Sequence, residues 1–229
     1  MISVVMVSYL GDYPGARSNP IPKFIRAVNS FLDQTLKESE LIILSDGCHV
    51  TWDVFQEHFS GEDRVKLVMC EKQEGWPGAL RNLGIEMAKY PLITYLDTDD
   101  YFLDFRLQKI VDAITSSGKR FILDSLYTIP SFEFISPIAS EPVAMDYDGM
   151  QWAVYTTGNQ GGTYQISHYK NDPARWPSKR TARGEDTVFI QNLTSAYVRG
   201  IAGIPKEFFF PIGGYMVCHN PDIGGGFDV

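Results

Sequence analysis

Residues 75–102 read GWPGALRNLGIEMAKYPLITYLDTDDYF. A helix is expected over residues 77–89. It runs into an apolar strand, Leu92-Ile93-Thr94-Tyr95-Leu96, which stops abruptly at Asp97-Thr98-Asp99-Asp100. Three carboxylates in four residues repel one another unless positive charge sits among them. A divalent cation meets that need. Mg²⁺ and Mn²⁺ take oxygen ligands, keep several waters, and bind through one or two carboxylates plus substrate phosphates. The stretch therefore points to a metal-bridged phosphate substrate at the mouth of an α/β sheet.

Working outward, the first half alternates strand and helix. Strands are expected at residues 2–9, 41–44, 65–69 and 92–96, and helices at residues 23–36, 52–59 and 77–89; the first of these helices carries apolar Phe24, Ile25, Val28, Phe31 and Leu32 at helical spacing. A loop rich in Gly, Pro, Ser and Asn occupies residues 11–22. Such alternation implies right-handed crossovers and a largely parallel sheet. Ligands of these sheets sit beyond the carboxyl ends of the strands, where Tyr9, Asp46 and Asp97 all fall. The second half is less regular. It reads as a helix at 103–116, strands at 121–127 and 132–135, a helix at 187–198 and a strand at 208–217. A glycine-rich GNQGG lies at residues 158–162 and a loose glycine tail near the end. No repeat or linker divides the 229 residues, so one α/β domain is expected.

Composition bounds the function. A net charge of −8 and a pI near 5.0 argue against wholesale binding to nucleic acid. No apolar run approaches the ~20 residues of a bilayer span. The N-terminal MISVVMV lacks a basic leader and reads as a strand, so a cytoplasmic location is expected. Cys48, Cys70 and Cys218 form neither a zinc pattern nor a disulfide framework.

Four pieces carry a family resemblance: ISVVMVSYL, FIRAVNSFLDQTLKESELIILSDG, PGALRNLGIEMAKYPLITYLDTDD and RGED. In their order and spacing, from Ile2 to Asp186, the chain resembles a family 2 type glycosyltransferase of GT-A fold. That implies a Rossmann-like, mostly parallel central sheet flanked by helices. Residues 1–102 would be the nucleotide-sugar-binding half and residues 103–229 the acceptor half. The activity implied is metal-dependent, inverting, hexosyl-type transfer. The donor is a nucleotide-diphosphate sugar, with a UDP-sugar favoured and Mn²⁺ or Mg²⁺ as cofactor. The acceptor is left open among a saccharide, a lipid-linked sugar, a protein and a modified nucleic acid.

The resemblance also implies roles. Asp97 and Asp99 match a DxD element that holds the metal on the donor diphosphate, with Thr98 beside them. Arg81, in Arg81-Asn82-Leu83-Gly84, stands where the family places an arginine near the nucleotide. Asp46 falls where an aspartate accepts a hydrogen bond from the base, although Ser45-Asp46 replaces the family's usual aspartate pair. Ser8 and Tyr9 fall where a Thr-Tyr pair meets the nucleoside. Gly184-Glu185-Asp186 matches an acidic acceptor motif, with Asp186 as general base and Glu185 orienting the acceptor. His219 is placed as a further metal or diphosphate ligand. Apart from the resemblance, Arg175, Lys179, Arg180 and Arg183, interrupted by Trp176, put four positive charges in nine residues of an otherwise acidic chain, and are expected to face an acceptor phosphate with the indole offered to a sugar or base. A nucleotidyltransferase of similar fold and a non-catalytic sugar-nucleotide binding protein are the rival readings.

Overall fold

Strand β1 (Ile2–Ser8) runs through the middle of the main sheet, and ISVVMVS has no charged side chain to turn toward solvent. The computed structural model describes residues 1–12, 19–74, 77–124, 128–130, 143–147, 150–154, 165–179, 188–190, 192–193, 208–210 and 212–216. Helix α1 (Pro20–Leu32) leads to β2 (Ser39–Asp46), which pairs in parallel with β1. Helix α2 (His49–His58) leads to β3 (Val65–Cys70), parallel to β2. Helix α3 (Gly78–Met87) leads to β4 (Leu92–Tyr95), which returns to the other side of β1, again in parallel. The order β3-β2-β1-β4 therefore reverses between β1 and β4. A crevice opens beyond the carboxyl ends of strands at such a switch point.

After β5 (Tyr101–Phe102) and helix α4 (Arg106–Ser117) come β6 (Phe121–Asp124), β7 (Thr128–Pro130), β8 (Val143–Tyr147), β9 (Met150–Val154), β10 (Gln165–Tyr169), β11 (Phe209–Phe210) and β12 (Tyr215–Met216). The main sheet reads β11-β6-β10-β4-β1-β2-β3, with β10 antiparallel to both β4 and β6. Strands β7, β9 and β8 form a small antiparallel sheet, and β12 pairs antiparallel with β5.

Both faces of the main sheet are covered. Val4 and Met6 of β1 pack with Phe24 and Phe31 of α1, Phe55 of α2 and Ile110 of α4. Val5 belongs to the opposite core, with Leu80 and Ile85 of α3, Trp176 and Phe189. The period-2 alternation of strand side chains produces this division, and burial on both faces explains the unbroken apolar runs. Gly84 brings α3 against the sheet: a Cβ there would lie 2.5 Å from a Val5 methyl. Glu40 ties the same edge together. Its buried carboxylate accepts hydrogen bonds from Ser3 Oγ at 2.8 Å, Lys66 Nζ at 2.8 Å and the Lys89 N–H at 2.5 Å.

Several elements differ from the sequence reading, and β5, β7, β8 and β9 stand where it expects no strand. Helix α1 starts at Pro20, where a missing N–H is tolerated, and stops at Leu32. Gln34 then caps the junction: its amide donates to Ser30 and Leu103 carbonyls, and its oxygen accepts the Leu107 N–H. The strand expected at 208–217 is two short strands in different sheets, because Gly213 (φ 68) and Gly214 (φ 74) turn the chain between them. Strand β10 was not anticipated, since Ser167 and His168 break its apolar pattern; both are fully buried and hydrogen-bonded, to Thr94 and Tyr95. The strand expected at 132–135 lies outside the described residues, as does most of the helix expected at 187–198.

Gly84→Ala is expected to destabilise the fold by about 1–3 kcal/mol through overpacking, read as a lower urea midpoint. Stability equal to the parent would show that α3 does not need the close approach.

Candidate active site

The crevice at the switch point has a volume of about 570 Å³ and gathers residues from six parts of the chain. Lys23 reaches it from α1, Tyr9 from the end of β1, Asp46 from β2, Lys72 from beyond β3, Arg81 from α3, and Asp97-Thr98-Asp99 from beyond β4. Of the sequence-expected residues, Tyr9, Asp46, Arg81, Asp97, Thr98 and Asp99 thus line one cleft. Ser8 does not. It is fully buried, with its hydroxyl 3.1 Å from Thr51 Oγ1 of α2. Glu185, Asp186, His219, Arg180, Arg183 and the 158–162 segment lie outside the described residues.

Asp46 is fixed on the cleft floor. One carboxylate oxygen accepts from Lys72 Nζ at 2.5 Å and the other from the Gln73 N–H at 2.7 Å. The same ammonium lies 4.0 Å from the centroid of the Tyr9 ring. Gly47 makes this possible. It has φ 65, and a Cβ there would meet Lys72 Cβ at 2.8 Å.

The aspartate turn separates its three carboxylates. The Asp97 side chain is 51% exposed, with Oδ1 at 3.3 Å from Arg81 Nη2. Asp99 faces the cleft, while its carbonyl accepts from Arg26 Nη2 at 2.8 Å. Asp100 turns inward and is buried. Tyr215 organises this division. Its hydroxyl accepts the Asp97 N–H at 3.2 Å and hydrogen-bonds to the Asp100 side chain. Burial, then the charges of Asp100 and Asp97, push the Tyr215 phenol well above its ordinary pKa, so it stays neutral and donates. Tyr215 in turn packs edge-on to Phe102 at 5.6 Å and beside the Arg106 guanidinium. Arg106 forms a wholly buried pair with Asp124 at 2.7 and 3.1 Å and donates to the Gly213 carbonyl at 2.6 Å, fixing the chain just before Tyr215.

Arg81 has its own support. Its guanidinium lies 4.5 Å from the Trp176 ring centroid. Asn82 clamps the Trp176 backbone, donating to its carbonyl and accepting its N–H, both at 2.9 Å. The buried indole stacks on Phe189 at 4.2 Å and donates Nε1–H to Tyr95 Oη at 2.8 Å. Tyr95 Oη therefore has its proton free for His168 Nε2, 2.8 Å away, and His168 Nδ1–H is left to donate to the Tyr169 carbonyl at 2.9 Å. This corrects the expectation for Trp176: it is a core side chain under Arg81, not a face offered to an acceptor. Arg175 likewise turns to backbone, donating to the Asp172 and Ala174 carbonyls. Lys179 alone of the described part of that basic cluster is exposed without a described role.

Three contributors escaped the sequence reading. Lys23 sits inside an amphipathic helix, Lys72 in a charged loop, and Tyr215 in a segment read as a plain strand; none stands in a motif. For a metal, no group of three His, Cys, Asp or Glu side chains converges among the described residues. Asp97 and Asp99 with water and diphosphate oxygens suit Mg²⁺ or Mn²⁺.

The family model for glycosyl transferase family 2 matches residues 16–183. Among curated proteins, the chain is 33% identical over 85 residues to an uncharacterized glycosyltransferase of Haemophilus influenzae, covering 37% of this chain and 34% of that protein. It is 30% identical over 124 residues to the Escherichia coli UDP-Glc:alpha-D-GlcNAc-diphosphoundecaprenol beta-1,3-glucosyltransferase WfaP, covering 54% and 48%. The chain thus spans about half or less of these relatives' lengths. Among solved structures, S. aureus TarS 1-349 superposes with a TM-score of 0.61 at 14% identity, covering 94% of this chain and 60% of that one. The same protein in complex with UDP-GlcNAc gives 0.59 at 16% identity, covering 93% and 57%. These neighbours establish the GT-A fold.

Two outcomes are expected from this geometry. Burial lowers the His168 pKa to about 4, against about 6.5 in an unfolded chain. Between those values the unfolded state binds more protons, so stability falls as pH drops from about 6.5 toward 4. Thermal melts should show this fall beginning above the carboxylate range, and His168→Gln should flatten it; an unchanged slope would contradict a buried neutral imidazole. Tyr215→Phe should cost about 1–3 kcal/mol in urea unfolding, because it leaves buried Asp100 without its phenol donor. No loss would remove Tyr215 as the organiser of the turn.

Proposed function

We propose, from the premise that this chain belongs to glycosyl transferase family 2, that it transfers a hexosyl group from a nucleotide-diphosphate sugar to an acceptor hydroxyl, with inversion. The observation that carries this reading is the single cleft in which Asp46, Arg81, Asp97 and Asp99 meet beyond the central strands. Residues 1–102 form the donor half and residues 103–229 the acceptor half. A UDP-sugar is the favoured donor. WfaP is named for UDP-Glc, and TarS has been crystallised with UDP-GlcNAc. The family match favours this reading over a nucleotidyltransferase.

In the proposed mechanism Tyr9 and Asp46 receive the nucleoside, and Arg81 and Thr98 stand by the diphosphate. Asp97 and Asp99 would hold Mg²⁺ or Mn²⁺, which supplies Lewis-acid stabilisation for charge developing on the departing phosphate oxygen. The acceptor oxygen forms its bond to the anomeric carbon as the bond to the phosphate oxygen breaks, and the nucleoside diphosphate leaves with the electron pair. Asp186 takes the acceptor's proton while Glu185 orients the acceptor. The oxocarbenium-like character of the transition state suits a carboxylate in that place. His219 would add a ligand to the metal or the diphosphate. WfaP acts on a lipid-diphosphate-linked sugar by name, which makes that acceptor class the first to assay.

The test is nucleoside diphosphate release from UDP-sugars with Mn²⁺. Asp186→Asn should lower turnover roughly 10²-fold or more while donor binding persists. Asp99→Ala or EDTA should abolish transfer without unfolding the chain. Full turnover in EDTA would remove the metal from the mechanism, and wild-type turnover by Asp186→Asn would remove the base.

A further inference from the structure

Lys23 is placed at a cost that no hydrogen bond from a described residue offsets. The residue is only 5% exposed, it lines the cleft, and its ammonium has no hydrogen-bond partner among the described residues. A buried polar group without a partner is costly, and a buried charge more so. Its position on α1 adds to the difficulty. Lys23 lies in the first turn, at the positive end of the helix macrodipole, where an anion is favoured and a cation is not. Pro20 and Pro22 remove two N–H groups from that turn, so the helix end itself offers an anion few donors.

The other cleft cations are already engaged. Lys72 is held by Asp46 and lies over Tyr9, and Arg81 is paired with Asp97 and lies over Trp176. Each of these neighbours orients a charge within the cleft. Lys23 lines the same cleft as Asp97, Thr98 and Asp99, and its buried ammonium has no hydrogen-bond partner among the described residues. We propose that Lys23 binds an anionic oxygen of the donor's diphosphate, an assignment that rests on the nucleotide-sugar reading above. The ligand supplies the hydrogen-bond acceptor that the ammonium lacks among the described residues. Asp97 and Asp99 would remain to hold Mg²⁺ or Mn²⁺, and Lys23 would bind the diphosphate beside it.

The experiment is calorimetric titration of wild-type protein and Lys23→Met with UDP and with uridine, both in Mn²⁺, alongside thermal melts without ligand. Loss of one charge-assisted contact to phosphate should weaken UDP about 10- to 100-fold. Uridine binding should be unchanged, and the ligand-free variant should melt no lower than wild type because an unpaired buried charge is gone. Lys23→Gln should fall with Met in UDP binding, since it too lacks the charge. Equal UDP affinity in wild type and Lys23→Met would overturn the assignment. So would a parallel loss of uridine binding or a drop in melting temperature of several degrees, either of which makes Lys23 a structural residue. Failure of the wild type itself to bind UDP would overturn the donor reading, and the assignment with it.

Discussion

Crowding of like charge at the end of β4 is the constraint around which the cleft is arranged. At separations of a few ångströms, unpaired carboxylates repel by about 1 kcal/mol in water and several times that near a protein surface. The fold answers by giving each a different environment. Asp100 goes inward to the neutral phenol of Tyr215, Asp97 stays half exposed against Arg81, and Asp99 faces the cleft with its backbone anchored by Arg26. Of the turn's three carboxylates, those of Asp97 and Asp99 remain on the cleft.

That separation depends on groups far away in sequence. Tyr215 lies 118 residues from Asp97 and is held by the Arg106–Asp124 pair. A buried ion pair is weak evidence of net stability, because desolvation consumes most of the attraction, yet breaking one side is costly. Its value here is positional: it fixes the Gly213–Gly214 turn, and with it the phenol under the aspartates. On the opposite face of the sheet, Asn82, Trp176, Tyr95 and His168 form a second network that ends at the cleft on Arg81. The cleft is thus gripped from both cores at the switch point between β1 and β4.

The first half of the fold was legible because its strands are buried on both faces and its helices alternate with them. The runs around Val4, Ile42 and Leu92 announce themselves without any knowledge of partners. So do Asp46, Asp97 and Asp99, since an acidic residue that ends an apolar run stands out. The second half was harder to read for a physical reason. Ser167 and His168 look polar in the sequence and are satisfied only by Thr94 and Tyr95, more than 70 positions away. Trp176, in a basic stretch, reads as an exposed ligand platform until Asn82 and Phe189 are seen to hold it in the core. Ser8 reads as a strand-end contact because burial by Thr51 cannot be inferred from spacing. Lys23 looks like any helix-surface lysine, and only its depth and missing partner mark it.

The proposed pairing of a divalent cation with a nucleoside diphosphate at Asp97 and Asp99 is open to direct measurement. The direct measurement is electron paramagnetic resonance of free Mn²⁺, titrated into the protein with and without UDP. The account predicts that protein and UDP together remove Mn²⁺ from solution beyond what UDP removes alone, and that Asp97→Asn with Asp99→Asn abolishes this extra uptake. Uptake that survives loss of both carboxylates, or no uptake by the wild type, would contradict it.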